Sequence, residues 1–198
     1  MIPRTLVFAT NNDHKLSELR SILGDTYRVL GLKDIGCTED IVEDGDTLHE
    51  NAAIKARYVR DRYGYDCFAD DTGLLVDALG GAPGVHTARY AGDSHDSSAN
   101  MRLLLHNIED VSDMSQRSAR FMTVIALTQG EKVIYFEGTA EGHIALAPRG
   151  DKGFGYDPVF IPTGSSLTFA EMEADAKNAI SHRGNAVRHL IDYLASNP

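Results

Sequence analysis

The sequence has 198 residues, 42% apolar and 24% charged, a globular composition that argues against a fibrous repeat or a disordered tail. Lys plus Arg number 19 against 29 Asp plus Glu, a net charge of −10, which excludes a nucleic-acid polymer held by phosphate neutralisation. It leaves open a small anion in a local basic pocket, or Mg²⁺ at acidic clusters, because that hard cation takes oxygen ligands.

Cys37 and Cys67 are too few for a disulfide framework or a Cys-based zinc site. The opening residues Met1 to Thr5 lead into an apolar strand without a secretory pattern, and no run reaches the ~18 apolar residues of a membrane span. A cytoplasmic protein without a membrane partner is the expectation, folded as a single domain over residues 1–198.

In chain order, Thr5 to Ala9 reads as a buried strand. Lys15 to Leu23 puts Leu16, Leu19, Ile22 and Leu23 on one helical face, with Gly24 as the stop. Thr47 to Tyr63 is a second helix, in which Thr47 and Glu50 fit a capping box and Gly64 closes the end. Cys67 to Ala69 reads as a short strand running into an acidic turn, Asp70-Asp71-Thr72-Gly73. Gly80 to Gly84 is a loop by composition, and Ser97 to His106 a helix. Ala119 to Leu127 and Lys132 to Glu137 form a hairpin around Gln129-Gly130, with a separate third strand over Thr139 to Leu146. A glycine-rich loop, Pro148 to Pro158, precedes a strand at Val159 to Ile161. Two helices close the chain, Ala170 to Ile180 and Asn185 to Leu194. Helices alternate with strands early and antiparallel strands dominate later, so the expected class is mixed α/β with a cleft between two lobes.

Four segments carry residue types suited to chemistry. Thr10-Asn11-Asn12-Asp13-His14-Lys15 joins a strand to a helix start, where free N–H groups and an early lysine favour an anion. The competing reading is a helix cap at Asn12 or Asp13 with Lys15 in solvent. Asp70 and Asp71 put adjacent carboxylates at a strand end, where ligands bind α/β sheets, or else form an acidic turn. Glu43-Asp44-Gly45-Asp46 precedes the helix bearing Lys55; together with Asp71 it supplies the sparse carboxylates Mg²⁺ prefers. Gly153-Phe154-Gly155-Tyr156-Asp157 places aromatic rings between glycines that let a planar ligand come close, or else is a turn over buried rings. Ser181 to Gly184 is a hinge between two helices or a donor pair for a ligand carbonyl.

These segments, with Glu50-Asn-Ala-x-x-Lys-Ala56, Leu79-Gly-Gly-Ala-Pro-Gly84, Ala88-Arg-Tyr90 and Lys177-x-x-Ile-Ser-His-Arg-Gly184, occur in the order found in one family. Over nearly its whole length the chain resembles the inosine triphosphate pyrophosphatase family. Asn11 stands where many members have Gly, and Thr72 and Thr87 where Ser is common.

The resemblance implies a long curved mixed sheet, a homodimer, and Mg²⁺-dependent hydrolysis of ITP, dITP and XTP to the monophosphate and pyrophosphate. It implies that Thr10, Asn11, Asn12, Asp13, His14 and Lys15 hold phosphates, with Lys55 as a further phosphate contact. Asp71 becomes general base and metal ligand, Glu43 a second metal ligand, and Thr72 a substrate contact. Phe154, Gly155, Tyr156, Asp157, Lys177, His182 and Arg183 become the nucleotide pocket. Two alternatives stand beside it: a nucleotide-binding module without turnover, and hydrolysis of modified pyrimidine triphosphates as in the similarly folded Maf-like family.

Overall fold

The computed structural model describes residues 4–197. The chain order is β1 (Arg4–Phe8), α1 (Asp13–Leu23), β2 (Tyr27–Leu30), α2 (Leu48–Tyr63), β3 (Cys67–Val76), β4 (Pro83–Gly84), α3 (Ser97–Asn107), β5 (Ser118–Gln129), β6 (Lys132–Ile144), β7 (Phe160–Pro162), α4 (Ala174–Ile180) and α5 (His182–Ser196). The class is mixed α/β, as expected. One seven-stranded sheet runs β2-β1-β3-β5-β6-β7, with β4 paired to β3. β1 is parallel to β2 and β3, whereas β3/β4 and β6/β7 are antiparallel. No helix among the described residues is long and apolar enough to cross a membrane.

The chain divides into two compact units, and β3, β5 and β6 each give residues to both. The first unit holds residues up to Asp71, Thr123–Gly138, and those from Arg183 on. Its core joins the inner faces of α1 (Leu19, Leu23) and α5 (Ala186, Val187, Leu190, Leu194) to Leu6, Phe8, Phe68, Ile125 and Leu127 from the strands. Phe8 and Phe68 stack at 4.8 Å between ring centroids. The second unit, Thr72–Met122 with Thr139–His182, is built on Leu74, Leu104, Ile108, Phe121, Ile144, Phe160 and Phe169. Arg117 is buried there and donates to the carbonyls of Ile108, Val111, Ile144 and Ala145 at 2.7–3.0 Å, so one cation ties four backbone carbonyls together.

The helix ends follow their local chemistry. Asn12 caps α1, and Thr47 with Glu50 forms the reciprocal capping box of α2, which Gly64 ends in the left-handed region at φ 73°. Four expectations need correction. The acidic turn is instead the middle of β3, a ten-residue strand. Thr139 to Leu146 is not a separate strand, because β6 runs unbroken to Ile144. Within β6, a Cβ at Gly142 would sit 2.2 Å from the Ile161 carbonyl oxygen of β7, so the close pairing of the two strands requires glycine there. The first closing helix starts at Ala174, not Ala170, since Phe169 and Ala170 are buried and the Ala170 carbonyl accepts from the Lys152 amide. Finally, His182 begins α5, so Ser181 alone separates the last two helices.

Candidate active site

In the first unit, the loop after β1 turns on Thr10, whose Oγ1 accepts from the Asn12 amide at 3.1 Å. The Asn12 side chain accepts from the His14 and Lys15 amides, which is the capping role weighed in the sequence. Asn11, Asp13 and His14 are exposed, and Asp13 lies 3.8 Å from Lys33. Lys15 is not in solvent: its Nζ reaches Asp70 Oδ1 at 2.9 Å with the side chain only 16% exposed.

Asp70 is 2% exposed and meets a second cation, Arg183 Nε, 3.2 Å from Oδ2. Arg183 also pairs with Glu18 through Nη1. Burial pushes the Asp70 carboxyl up, but Lys15, Arg183 and Lys55 outweigh it and hold the group below its ordinary range. Burial likewise pulls Lys15 down, and here it prevails over the attraction of Asp70. Arg183 is pulled down by burial and raised further by Asp70 and Glu18, so it stays charged.

Asp71 differs from its neighbour because successive side chains of a strand point to opposite faces. It is half-buried, and burial raises its carboxyl above the ordinary value, with Glu43 and Asp70 adding to the rise and Lys55 and Lys15 opposing it. Lys55 is buried on α2 and pairs with Glu43; burial lowers it, and Glu43, Asp71 and Asp70 together raise it above its ordinary value. Two lysines therefore act electrostatically on two adjacent carboxylates of one strand. Among the described residues no group of three or more His, Cys, Asp and Glu gathers as a metal site.

In the second unit, the Asp157 carboxylate organises the glycine-rich loop. Its Oδ2 accepts from the Phe154 amide and from Lys177 Nζ, both at 2.8 Å. Gly153 has φ +72°, and a Cβ there would lie 2.1 Å from that same oxygen, so both backbone and space demand glycine. Lys177 Nζ stands 5.4 Å from the centroid of the Phe154 ring. Tyr156 is buried, and its hydroxyl donates to the Thr87 carbonyl at 2.9 Å. The Thr87 hydroxyl in turn accepts from the Leu74 amide and donates to the Gly84 carbonyl, a use that either Ser or Thr can serve. His182 is buried with its ring stacked on Phe121 at 4.5 Å. Thr72 is half-buried on β3.

Sequence reasoning missed Glu18, the carboxylate that shares Arg183 with Asp70. Its only local signal is its place one helical turn beyond Lys15. Arg117 was missed too, since nothing in the sequence marks an arginine as buried.

A mixed α/β protein in which a buried and a half-buried lysine act on an acidic pair has the equipment to bind and act on a small polyanion. The comparisons narrow this class: the chain belongs to the Ham1 family, whose model matches residues 6–193. It is 53% identical over 190 residues to a protein of Christiangramia forsetii named dITP/XTP pyrophosphatase, covering 96% of this chain and 98% of that one. A Porphyromonas gingivalis protein of the same name is 55% identical over 189 residues, with 96% of each chain covered. Among solved structures, a HAM1 protein from Coxiella burnetii superposes with a TM-score of 0.87 at 39% identity, over 98% of this chain and 99% of that one. The Staphylococcus aureus Ham1 protein gives 0.85 at 34% identity, over 98% and 100%.

Proposed function

We propose that the protein hydrolyses ITP, dITP and XTP to the nucleoside monophosphate and pyrophosphate. Relatives named dITP/XTP pyrophosphatase, at 53% and 55% identity over 96% of the chain, support the substrate class. The observation that carries the reaction is the contrast within one dipeptide: Asp70 is ion-paired to Lys15 and Arg183 and held below its ordinary value, while burial raises Asp71 from its own. Asp70 fixes Lys15 and Arg183. Asp71 is the general base, because a carboxyl raised above its ordinary value is the better proton acceptor for an attacking water. The Thr10 to Lys15 loop, through its N–H groups and through Lys15, receives the phosphates together with Lys55. Charge on the phosphate oxygens is the larger catalytic burden, and these lysines meet it.

Glu43 and Asp71 offer carboxylate oxygens, the donor class Mg²⁺ takes, and a cation beside Asp71 offsets the burial that raises its carboxyl. They would hold that ion, which takes few protein ligands and completes its shell with water and phosphates. Once bound, Mg²⁺ supplies neutralisation of the triphosphate and polarisation of a phosphoryl oxygen.

On the nucleoside side, the Phe154 ring offers a stacking face worth ~1–3 kcal/mol per base. Thr72, Gly155, Tyr156, Asp157, Lys177, His182 and Arg183 complete this set. Lysine and arginine only donate hydrogen bonds; they suit the C6 oxygen of hypoxanthine and xanthine and oppose the amino group of adenine. The resemblance further supports a cytoplasmic location and a homodimer; light scattering of the purified chain tests the dimer, with twice the chain mass expected and a single chain mass contradicting it.

The test of the function is pyrophosphate release with Mg²⁺ from ITP, dITP, XTP, ATP and a modified pyrimidine triphosphate. The expected kcat/KM for ITP exceeds that for ATP by ~10⁴, the discrimination available when buried donors lose their acceptor. Equal values for ITP and ATP would overturn the base reading. Release from the pyrimidine alone would move the chain to the Maf-like activity, and none at all would leave a binding module.

A further inference from the structure

Residues 37–46, which carry Glu43, form neither helix nor strand. Their shape comes from α2, along which they are pinned at both ends. At one end Glu39 takes hydrogen bonds from three α2 side chains: Tyr58, Arg62 at 2.7 Å and Tyr63 at 3.4 Å. At the other, the Gly45 amide donates to Asn51 Oδ1 at 2.8 Å and the Asp46 amide to Glu50 Oε2 at 2.8 Å. Between the ends, Glu43 meets Lys55.

The helical residues engaged, Asn51, Lys55, Tyr58 and Arg62, are spaced four, three and four apart, which places them on one face of α2. The segment pairs with them in reverse order: Gly45 at Asn51, Glu43 at Lys55, Glu39 at Tyr58 and Arg62. It therefore lies antiparallel along the helix. Asn51 to Arg62 spans about 16 Å of helix axis, and Glu39 to Gly45 reaches at most about 20 Å when fully extended. A segment with so little slack has its middle set by its ends. Gly45 is part of this fit: a Cβ there would lie 2.6 Å from Glu50 Cβ and 2.8 Å from Asn51 Oδ1. The Tyr58 hydrogen bond also keeps Glu39 below its ordinary carboxylate value, so the acceptor is ionised at neutral pH.

We infer that Glu39 is a positioning residue: its clamp onto Tyr58, Arg62 and Tyr63 holds residues 37–46 against α2 and so keeps Glu43 at Lys55. The consequence for a metal ion rests on the proposed role of Glu43 as its ligand.

Hydrogen exchange in the metal-free chain tests the clamp where no local contact reaches. Glu39→Ala is expected to speed exchange of the Gly45 and Asp46 amides by about tenfold or more, while Glu39→Gln, which still accepts from Tyr58, restores most of the protection. Unchanged exchange at Gly45 and Asp46 in Glu39→Ala overturns the clamp. Should that variant fail to fold, Tyr58→Phe removes a single hydroxyl and is read in the same way. Calorimetry with Mn²⁺ on the nucleotide-free chain gives the second arm, with a Kd expected to rise about fivefold in Glu39→Ala. At saturating ITP, turnover of that variant should fall at limiting Mg²⁺ and recover at high Mg²⁺; a loss that Mg²⁺ cannot restore contradicts positioning. A parent chain that releases no pyrophosphate from ITP but shows the exchange effect sinks the proposed function and leaves the clamp standing.

Discussion

Asp70 and Asp71 share a peptide bond and have opposite electrostatic situations, and each variant tests a different consequence. Asp70→Asn leaves Lys15 and Arg183 without the carboxylate both now touch, and breaking a buried pair in this way costs about 3–5 kcal/mol. Because the folded Asp70 value is depressed, its stabilisation is present above the unfolded value of about 3.9 and is lost as pH falls toward the folded one. Urea titrations of the parent should therefore lose stability below about pH 4, and Asp70→Asn should flatten that slope. Asp71 has the opposite sign. Its raised value means that ionising it costs stability, so the contribution is present below the unfolded value and lost as pH rises through the folded one. Asp71→Asn is expected to melt at or above the parent temperature at neutral pH while turnover falls by about 10² or more. A variant that loses activity by unfolding would place Asp71 with the structural groups instead.

Among the elements, α1 gives the plainest test of a cap. Asn12→Ala removes the acceptor of the His14 and Lys15 amides and should cost about 1 kcal/mol by thermal melting. It should also loosen the turn that carries Lys15, raising the KM for ITP more than it lowers kcat. The glycine-rich loop is held more strictly: Gly153→Ala forces a Cβ onto Asp157 Oδ2 at a positive φ and should destabilise the second unit, lowering the melting temperature. The helices were legible in the sequence because their signals are local: Asn12 before α1, Thr47 with Glu50, and the stops at Gly24 and Gly64. The acidic strand was not. Asp70 and Asp71 resemble a turn until Lys15, 55 positions away, and Arg183, 113 away, are folded onto Asp70. The separate third strand failed for a related reason, since the gap it left at Gly138 is interior to β6, whose far end pairs with β7. The place of Lys15 at the start of α1 was legible from the local helix signals, but its partner Asp70 was not.

Across the whole molecule, an excess of acidic residues coexists with buried or half-buried cations at the acidic pair and, from α4, at the Asp157 carboxylate of the glycine-rich loop. Lys15, Lys55, Arg183 and Lys177 are each set against carboxylates, so the net charge of −10 does not describe what a triphosphate would meet at those positions. Similarity to proteins named dITP/XTP pyrophosphatase extends over 96% of the chain, so both compact units belong to the matched length. The central claim is that Asp71 does the chemistry while Asp70 holds the cations. Its most direct measurement is ³¹P NMR of ITP turnover at saturating Mg²⁺ by the parent and by Asp71→Asn, both checked as folded by their melting temperatures. The predicted result is IMP and pyrophosphate from the parent, with the rate lower by about 10² or more in the variant. Inorganic phosphate as the first product, or equal rates from the two chains, would contradict it.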